Sequence, residues 1–160
     1  MILTKWKYFI IPIIVIIMSI IFLSCGKTDT SENSTSNENG IAVTVYKDPL
    51  CGCCGDYIDE LKNNGFNVTT IITEDPQSIR DKYGISTEME SCHTMVIDDY
   101  FVEGHMPFEA IEKLLSEKPD IDGIALPDMP TGTPGMPGEI MEEWVIYSLK
   151  DGQIFVFMRI

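Results

Sequence analysis

Three cysteines occupy four positions of the segment DPLCGCCG, residues 48–55, and this cluster constrains the chain more than any other feature. An apolar, β-branched segment, IAVTVYK, precedes the cluster and predicts a strand over residues 41–47. Residues 56–64 carry apolar side chains at helical spacing and are followed by Gly65, which predicts a helix. The three thiols therefore lie where a strand passes into the N-terminus of a helix.

That position has chemical consequences. A helix N-terminus carries unpaired N–H groups and about half a positive charge, which favours a thiolate over a thiol. We expect Gly52 and Gly55 to let the backbone curl without side-chain clashes, so that several sulfur atoms converge. Cys53 and Cys54 are adjacent, and a disulfide between neighbours is strained. The cluster is therefore either a redox pair with a third thiol beside it or a set of metal ligands.

The rest of the pattern predicts the element order β-α-β-α-β-β-α, which is that of a thioredoxin-like, three-layer α/β fold. The later elements are predicted at residues 66–73, 76–83, 94–98, 100–104 and 107–118. After them come a Pro/Gly/Met-rich loop and the segment 142–160, which predicts a β-hairpin turning at Asp151-Gly152. We expect this hairpin to pack on the main sheet or to extend it.

In a thioredoxin-like arrangement the loop before the third strand faces the strand-to-helix corner. That loop is MESCHTMV, residues 89–96, so Cys92 is expected opposite Cys51, Cys53 and Cys54. Four thiols around one point make a soft site, which suits Cu(I) or Zn(II) and is poor for Mg²⁺ or Ca²⁺.

Three segments together resemble a known family: VYKDPLCGCCGDYIDELKNNGF, SCHTMVIDDYFVEGHMP and LPDMPTGTPGMPG. They are similar to small exported proteins described as a domain of unknown function or as CopG-type copper-resistance proteins. The resemblance covers residues 45–138 and continues loosely to the end. It implies a thioredoxin-like domain outside the cytoplasm that binds copper as a thiolate cluster through Cys51, Cys53, Cys54 and Cys92.

Two classes of function remain open. The first is a copper-binding protein that holds one or several Cu(I) ions and stores, passes on or changes the oxidation state of copper. The alternative is a thiol-disulfide oxidoreductase that uses Cys51 and Cys54, and a zinc-stabilised module is a third reading. Cys53 favours metal binding, because a third thiol has no evident role in exchange chemistry and completes a compact soft site. Whether the chain is an enzyme stays open.

Five further residues are candidates for accessory metal ligands or for partners that orient the ligands. They are His93, His105, Met106, Met129 and Met136. Thioether sulfur suits Cu(I). We interpret the Pro/Gly-rich loop around Met129 and Met136 as a lid over the cluster.

The N-terminal residues predict export. Residues 1–24 combine lysines with a long apolar run, and Ser24-Cys25 fits a bacterial lipobox, so we expect cleavage before Cys25 and acylation of this residue. An uncleaved membrane anchor is the alternative. Residues 25–40 are polar and predict a flexible tether. We expect the metal-binding domain to comprise residues 41–118, and the loop and hairpin packed on it to comprise residues 119–160.

The chain is strongly acidic, with a formal net charge of -14 at pH 7. Such a charge repels the phosphate backbone and attracts cations, so we expect no nucleic-acid partner. The expected partners are a membrane, reached through the lipid anchor, and proteins of copper delivery or export. The predicted location is extracytoplasmic, at the cell membrane or the outer membrane.

Overall fold

This computed structural model describes residues 40–160 as strands and helices around a mixed sheet. The strands are β1 (Ile41–Lys47), β2 (Phe66–Ile72), β3 (His93–Ile97), β4 (Tyr100–Glu103), β5 (Gly123–Ala125), β6 (Val145–Lys150) and β7 (Gln153–Arg159). The helices are α1 (Cys53–Asn63), α2 (Pro76–Tyr83) and α3 (Phe108–Glu117), with a short 3-10 helix at Thr87–Met89. The predicted signal peptide, the lipidation site Cys25 and residues 26–39 of the tether lie outside the described residues.

All seven strands join one sheet in the order β2-β1-β3-β4-β5-β6-β7. The β1 strand pairs in parallel with β2 and antiparallel with β3, so it lies inside the sheet. The C-terminal hairpin, β6 and β7, extends the sheet, because β5 pairs in parallel with β4 and antiparallel with β6. The sequence pattern does not predict β5, because its three residues carry no alternation of apolar and polar side chains.

Helices cover both faces of this sheet. Phe101 and Val102 are neighbours on β4 and belong to different hydrophobic clusters, because successive side chains of a strand point to opposite faces. The larger cluster includes Tyr57 of α1 and Ile111 of α3. The smaller one is packed against Tyr83, at the end of α2. Helices α1 and α3 thus lie on one face and α2 on the other.

Local signals account for the helix boundaries. Helix α2 has the predicted bounds. At its N-terminus the side chain of Asp75 accepts a hydrogen bond from the Ser78 N–H. At its C-terminus Gly84 adopts a left-handed conformation (φ 67°). Helix α1 begins at Cys53, three residues earlier than the periodicity of its apolar side chains predicts. Within residues 40–160, no helix is long and apolar enough to cross a membrane.

Candidate metal centre

The sulfur atoms of four cysteines lie within 4.8 Å of one another: Cys51, Cys53, Cys54 and Cys92. Cys51 lies in the turn after β1, and the next two cysteines lie at the start of α1. Cys92 immediately precedes β3. Because Lys47 at the end of β1 pairs with His93 at the start of β3, the sheet register places Cys92 beside the turn, as the sequence predicts.

Cys51 and Cys54 form a disulfide, with their Cα atoms 5.6 Å apart. Cys53 and Cys92 are free and half-buried. This form of the protein therefore carries one disulfide and two thiols at the site. A donor set of four thiolates requires two-electron reduction of the Cys51–Cys54 bond.

Gly52 and Gly55 do not have the role that the sequence analysis gave them. Gly52 caps α1 with right-handed helical angles (φ -68°, ψ -49°), and a Cβ at either glycine would meet no atom within 4 Å. The expectation that side-chain clashes require these glycines is therefore wrong. The sulfur atoms converge because the chain turns directly from β1 into α1.

Cys92 is a half-buried thiol that stays protonated at neutral pH. Its sulfur lies 3.2 Å from the Nδ1 of His93. Burial, reinforced by the nearby charge of Cys53, raises the pKa of Cys92 to about 12. A metal ion that binds this sulfur must therefore displace a proton.

His93 is completely buried and neutral. Burial, with a smaller contribution in the same direction from the charges of His105, Arg80 and Lys47, lowers its pKa to about 3. Its Nδ1 also lies 3.5 Å from the sulfur of Cys54. Neutral imidazole is the form that ligates a metal ion.

His105 belongs to a group of potential ligands with Cys54, Cys92 and His93. Its Nδ1 lies 2.7 Å from the carbonyl oxygen of Pro134, which can only accept, so this nitrogen donates and carries the hydrogen. Its Nε2 is then unprotonated. Burial lowers the pKa of His105, which keeps the ring neutral.

The histidines contain two buried nitrogens without a partner. Within residues 40–160, the Nε2 atoms of His93 and His105 are the buried side-chain polar atoms that have no hydrogen bond. Such atoms are rare in native structures, and a bound ion is one of the explanations for them. One ligand atom each from Cys54, Cys92, His93 and His105 lies within 4.8 Å of the others. Sulfur and imidazole donors fit copper or zinc, so the residues present suit a soft metal ion.

A buried ion pair that the sequence pattern does not predict fixes the backbone around Cys92. Glu103 is fully buried. One oxygen of its carboxylate accepts hydrogen bonds from the Arg80 Nε–H (3.0 Å) and the Ser91 N–H (2.8 Å). The other oxygen accepts a hydrogen bond from the Thr94 hydroxyl (2.5 Å). Arg80 also donates to the carbonyl oxygen of Ser91 (2.6 Å). Burial raises the pKa of Glu103 against the opposing effect of these hydrogen bonds. The signal in the sequence is a charged residue ending an otherwise apolar strand.

Tyr57 of α1 forms a wall of the site and was also missed. Its ring centroid lies 4.9 Å from that of His93 and 5.1 Å from that of His105. Its hydroxyl donates to the carbonyl oxygen of Met106 (3.1 Å), and burial raises its pKa. Helical periodicity indicates only that Tyr57 faces the core.

The three candidate methionines lie in different environments. Met106 is fully buried in the larger hydrophobic cluster. Met136 is half-buried in the Pro/Gly-rich loop, and Met129 in the same loop is 47% exposed. Metal ligation by these residues stays a prediction.

A mixed α/β scaffold that brings cysteine and histidine donors from separate segments to one point defines a small metal-binding thiol protein. Two solved structures are similar to this chain, described as "Copper resistance protein copG- Form 2" and "Copper resistance protein copG- Form 1". Each is 41% identical, with a TM-score of 0.70, and the match covers 76% of this chain and 98% of that chain. The chain belongs to the CopG family of copper-resistance proteins, as the sequence analysis predicted.

A family model agrees with this membership. The model described as "Protein of unknown function, DUF411" matches residues 89–136, which include Cys92, His93 and His105. No curated protein matches the chain significantly. The family and the cysteine cluster together support a copper-related function.

Proposed function

We propose that the chain binds Cu(I) as a thiolate cluster in copper resistance or copper homeostasis. The observation that carries this proposal is the convergence of four sulfur atoms within 4.8 Å, from Cys51, Cys53, Cys54 and Cys92. Bridging thiolates allow a compact set of four sulfurs to hold several Cu(I) ions, and Cu(I) prefers such soft ligands. Membership of a copper-resistance family supports copper over zinc.

Five of the site residues have the following tasks in this proposal. Cys53 and the reduced Cys54 supply thiolates at the N-terminus of α1, where the helix dipole stabilises negative charge. Cys92 releases its proton when the metal binds, because burial holds it as a thiol beforehand. His93 and His105 stay neutral and supply nitrogen lone pairs at the buried side of the cluster.

The test is a metal titration of the reduced full-length protein with Cu(I) and with Zn(II), each against a competing chelator. We expect more than one Cu(I) ion per chain and weaker binding of Zn(II). Tight Zn(II) together with weak Cu(I) would show that the site is a zinc site instead.

The proposal includes a change in the oxidation state of copper. Oxidation of the Cys51 and Cys54 thiolates to the observed disulfide releases two electrons, which reduce two Cu(II) ions to Cu(I). Cys53, Cys92 and the two histidines remain as donors once that disulfide has formed. Anaerobic mixing of the reduced protein with Cu(II) should therefore give one disulfide for every two Cu(I) ions.

The second candidate function is thiol-disulfide exchange. The observation that favours it is the disulfide between Cys51 and Cys54 at the N-terminus of α1, where a cysteine pair is reactive. Reduction of insulin disulfides by the reduced protein measures this activity. Copper binding and exchange activity in the Cys53→Ser variant separate the two functions.

We further propose a thioredoxin-like arrangement for residues 41–118, with residues 119–160 as its extension. The element order from β1 to α3 and the cysteine pair between β1 and α1 support it. Outside the cytoplasm, acylated Cys25 would tether this domain to the cell membrane or the outer membrane. Copper-delivery or export proteins are the proposed partners, and the negative charge argues against nucleic acid.

A further inference from the structure

The loop of residues 127–138, here called the strap, contacts segments that carry the metal-site residues. At its start, the carbonyl oxygen of Asp128 accepts a hydrogen bond from the Ser91 hydroxyl, next to Cys92. Farther along, Pro134 accepts from His105 and Gly135 donates to Glu60 of α1. The strap thus joins three parts of the chain that are distant in sequence.

The contact between the strap and α1 is very close. The Gly135 N–H donates to the carboxylate of Glu60 over 2.7 Å. A Cβ on Gly135 would lie 2.6 Å from the backbone nitrogen of Tyr57, and the φ angle of +73° is unfavourable for any other residue. Only glycine at this position lets the strap lie directly on α1.

This contact determines where Pro134 lies. Its carbonyl oxygen precedes the Gly135 N–H in the same peptide unit, so the bond to Glu60 orients the whole peptide plane. That plane then aims the Pro134 oxygen at the Nδ1 of His105, 2.7 Å away. The imidazole is held in the tautomer whose Nε2 is unprotonated, and this Nε2 is buried without a hydrogen bond among the described residues.

We infer that Glu60 is a positioning residue for the metal site, acting through the strap. Its carboxylate holds the Pro134–Gly135 peptide, and this peptide keeps the Nε2 of His105 unprotonated. His105 has one ligand atom within 4.8 Å of those of Cys54 and Cys92. The inference rests on the proposed function for its consequence in copper binding. Its structural half, the tautomer of His105, exists without any metal.

The first experiment reads the tautomer in the metal-free, full-length protein. The chain contains two histidines, so ¹⁵N-histidine labelling gives two imidazole patterns in two-bond ¹H–¹⁵N spectra, assigned with His93→Gln. We expect a pure Nδ1–H form for His105 in the wild type and in Glu60→Gln, whose amide oxygen still accepts. Glu60→Ala should show a mixture of tautomers. An unchanged Nδ1–H form in Glu60→Ala overturns the inference.

The second experiment measures Cu(I) affinity by chelator competition. Loss of a partner that orients a ligand typically costs 10- to 100-fold in metal affinity. We expect a loss of about tenfold in Glu60→Ala, none in Glu60→Gln, and no further loss when Glu60→Ala is added to His105→Gln. An equal loss in the His105→Gln background would show that Glu60 acts on the fold rather than through His105, and would also overturn the inference.

A matched pair of glycine variants tests the strap itself. Gly135→Ala places a methyl group against Tyr57 and should give the same tautomer mixture as Glu60→Ala. Gly55→Ala, also on α1, meets open space and should leave His105 unchanged. A pure Nδ1–H form of His105 in Gly135→Ala contradicts the inference that the strap holds this tautomer.

If the wild-type protein binds no Cu(I), the proposed function fails. The tautomer of His105 in the variants still decides whether Glu60 positions this residue.

Discussion

The sulfur of Cys54 lies 3.8 Å from the sulfur of Cys92, although 38 positions separate the two residues. Cys54 is fully buried in the first turn of α1, and Cys92 precedes β3. The pairing of β1 with β3 brings these segments together and makes one site from two parts of the chain. A metal ion bound at this point would therefore contact both segments.

Cys92→Ser should lower the Cu(I) stoichiometry or affinity about as much as Cys53→Ser does, because a shared cluster loses a bridging sulfur in either case. Chelator competition on the two reduced variants measures the effect. Wild-type copper binding by Cys92→Ser would mean that the turn alone holds the metal and that the two segments do not share a site.

Cys53→Ser separates a copper protein from a dithiol enzyme. In a copper-thiolate site, Cys53 is a ligand, so the variant should lose the full copper complement and any copper tolerance. In an exchange enzyme, Cys51 and Cys54 perform the chemistry and the variant should keep its activity. Bound copper, cellular copper sensitivity and insulin reduction are the measurements. A variant that retains both copper and tolerance would favour the enzyme.

Acid should destabilise the metal-free fold through His93. The pKa of His93 is about 3 in the folded protein and about 6.5 when unfolded, so only the unfolded chain binds this proton between these values. The contribution of His93 to the free energy of unfolding is therefore fully present above pH 6.5. It falls as the pH drops below this value, by at most about 1.4 kcal/mol per pH unit.

Urea unfolding at pH 7 and pH 5 tests this dependence, with His93→Gln as the comparison. Glutamine does not titrate, so the variant should lose less stability between the two pH values than the wild type. The pKa of His105 is also lowered by burial, and His105 should account for part of the remaining slope. An identical slope in His93→Gln would contradict the assignment to His93.

Glu103→Ala should destabilise the fold by about 3–5 kcal/mol, because it leaves Arg80 buried without its carboxylate. It also removes the acceptor of the Ser91 N–H, so Cu(I) affinity should fall with stability. Denaturant unfolding and copper titration measure the two effects. Lys62→Ala, which breaks the exposed pair with Asp59, is the control and should change neither. Similar stability losses in both variants would refute the role given to the buried pair.

Cys25→Ala should abolish labelling by a radioactive or clickable fatty acid and shift the protein out of the membrane fraction. The reason is the lipobox-like FLSC sequence, in which Cys25 is the predicted site of acylation. Cys53→Ser is the control for a general effect of cysteine loss. Unchanged labelling of Cys25→Ala would contradict acylation at this residue.

Local patterns in the sequence predicted most of the elements. The bounds of β1 and α2 are as predicted, and the other predicted strands and helices differ by a few residues at their ends. Alternation, helical periodicity and Pro/Gly boundaries act over neighbouring residues, so they can be read without knowing the fold. The clustering of Cys51, Cys53 and Cys54 is local in the same sense.

The amino-acid sequence by itself determined the element types and identified the soft donor residues, because both depend on residue type and short spacing. Only the tertiary structure decided which cysteines pair, that the sheet incorporates β5, and that Glu103 ties Arg80 to the segment before Cys92. The tautomer of His105 belongs to the same group, because a carbonyl 29 positions away imposes it. These features arise from contacts between residues far apart in the chain, and such contacts exist only once the sheet and helices have packed.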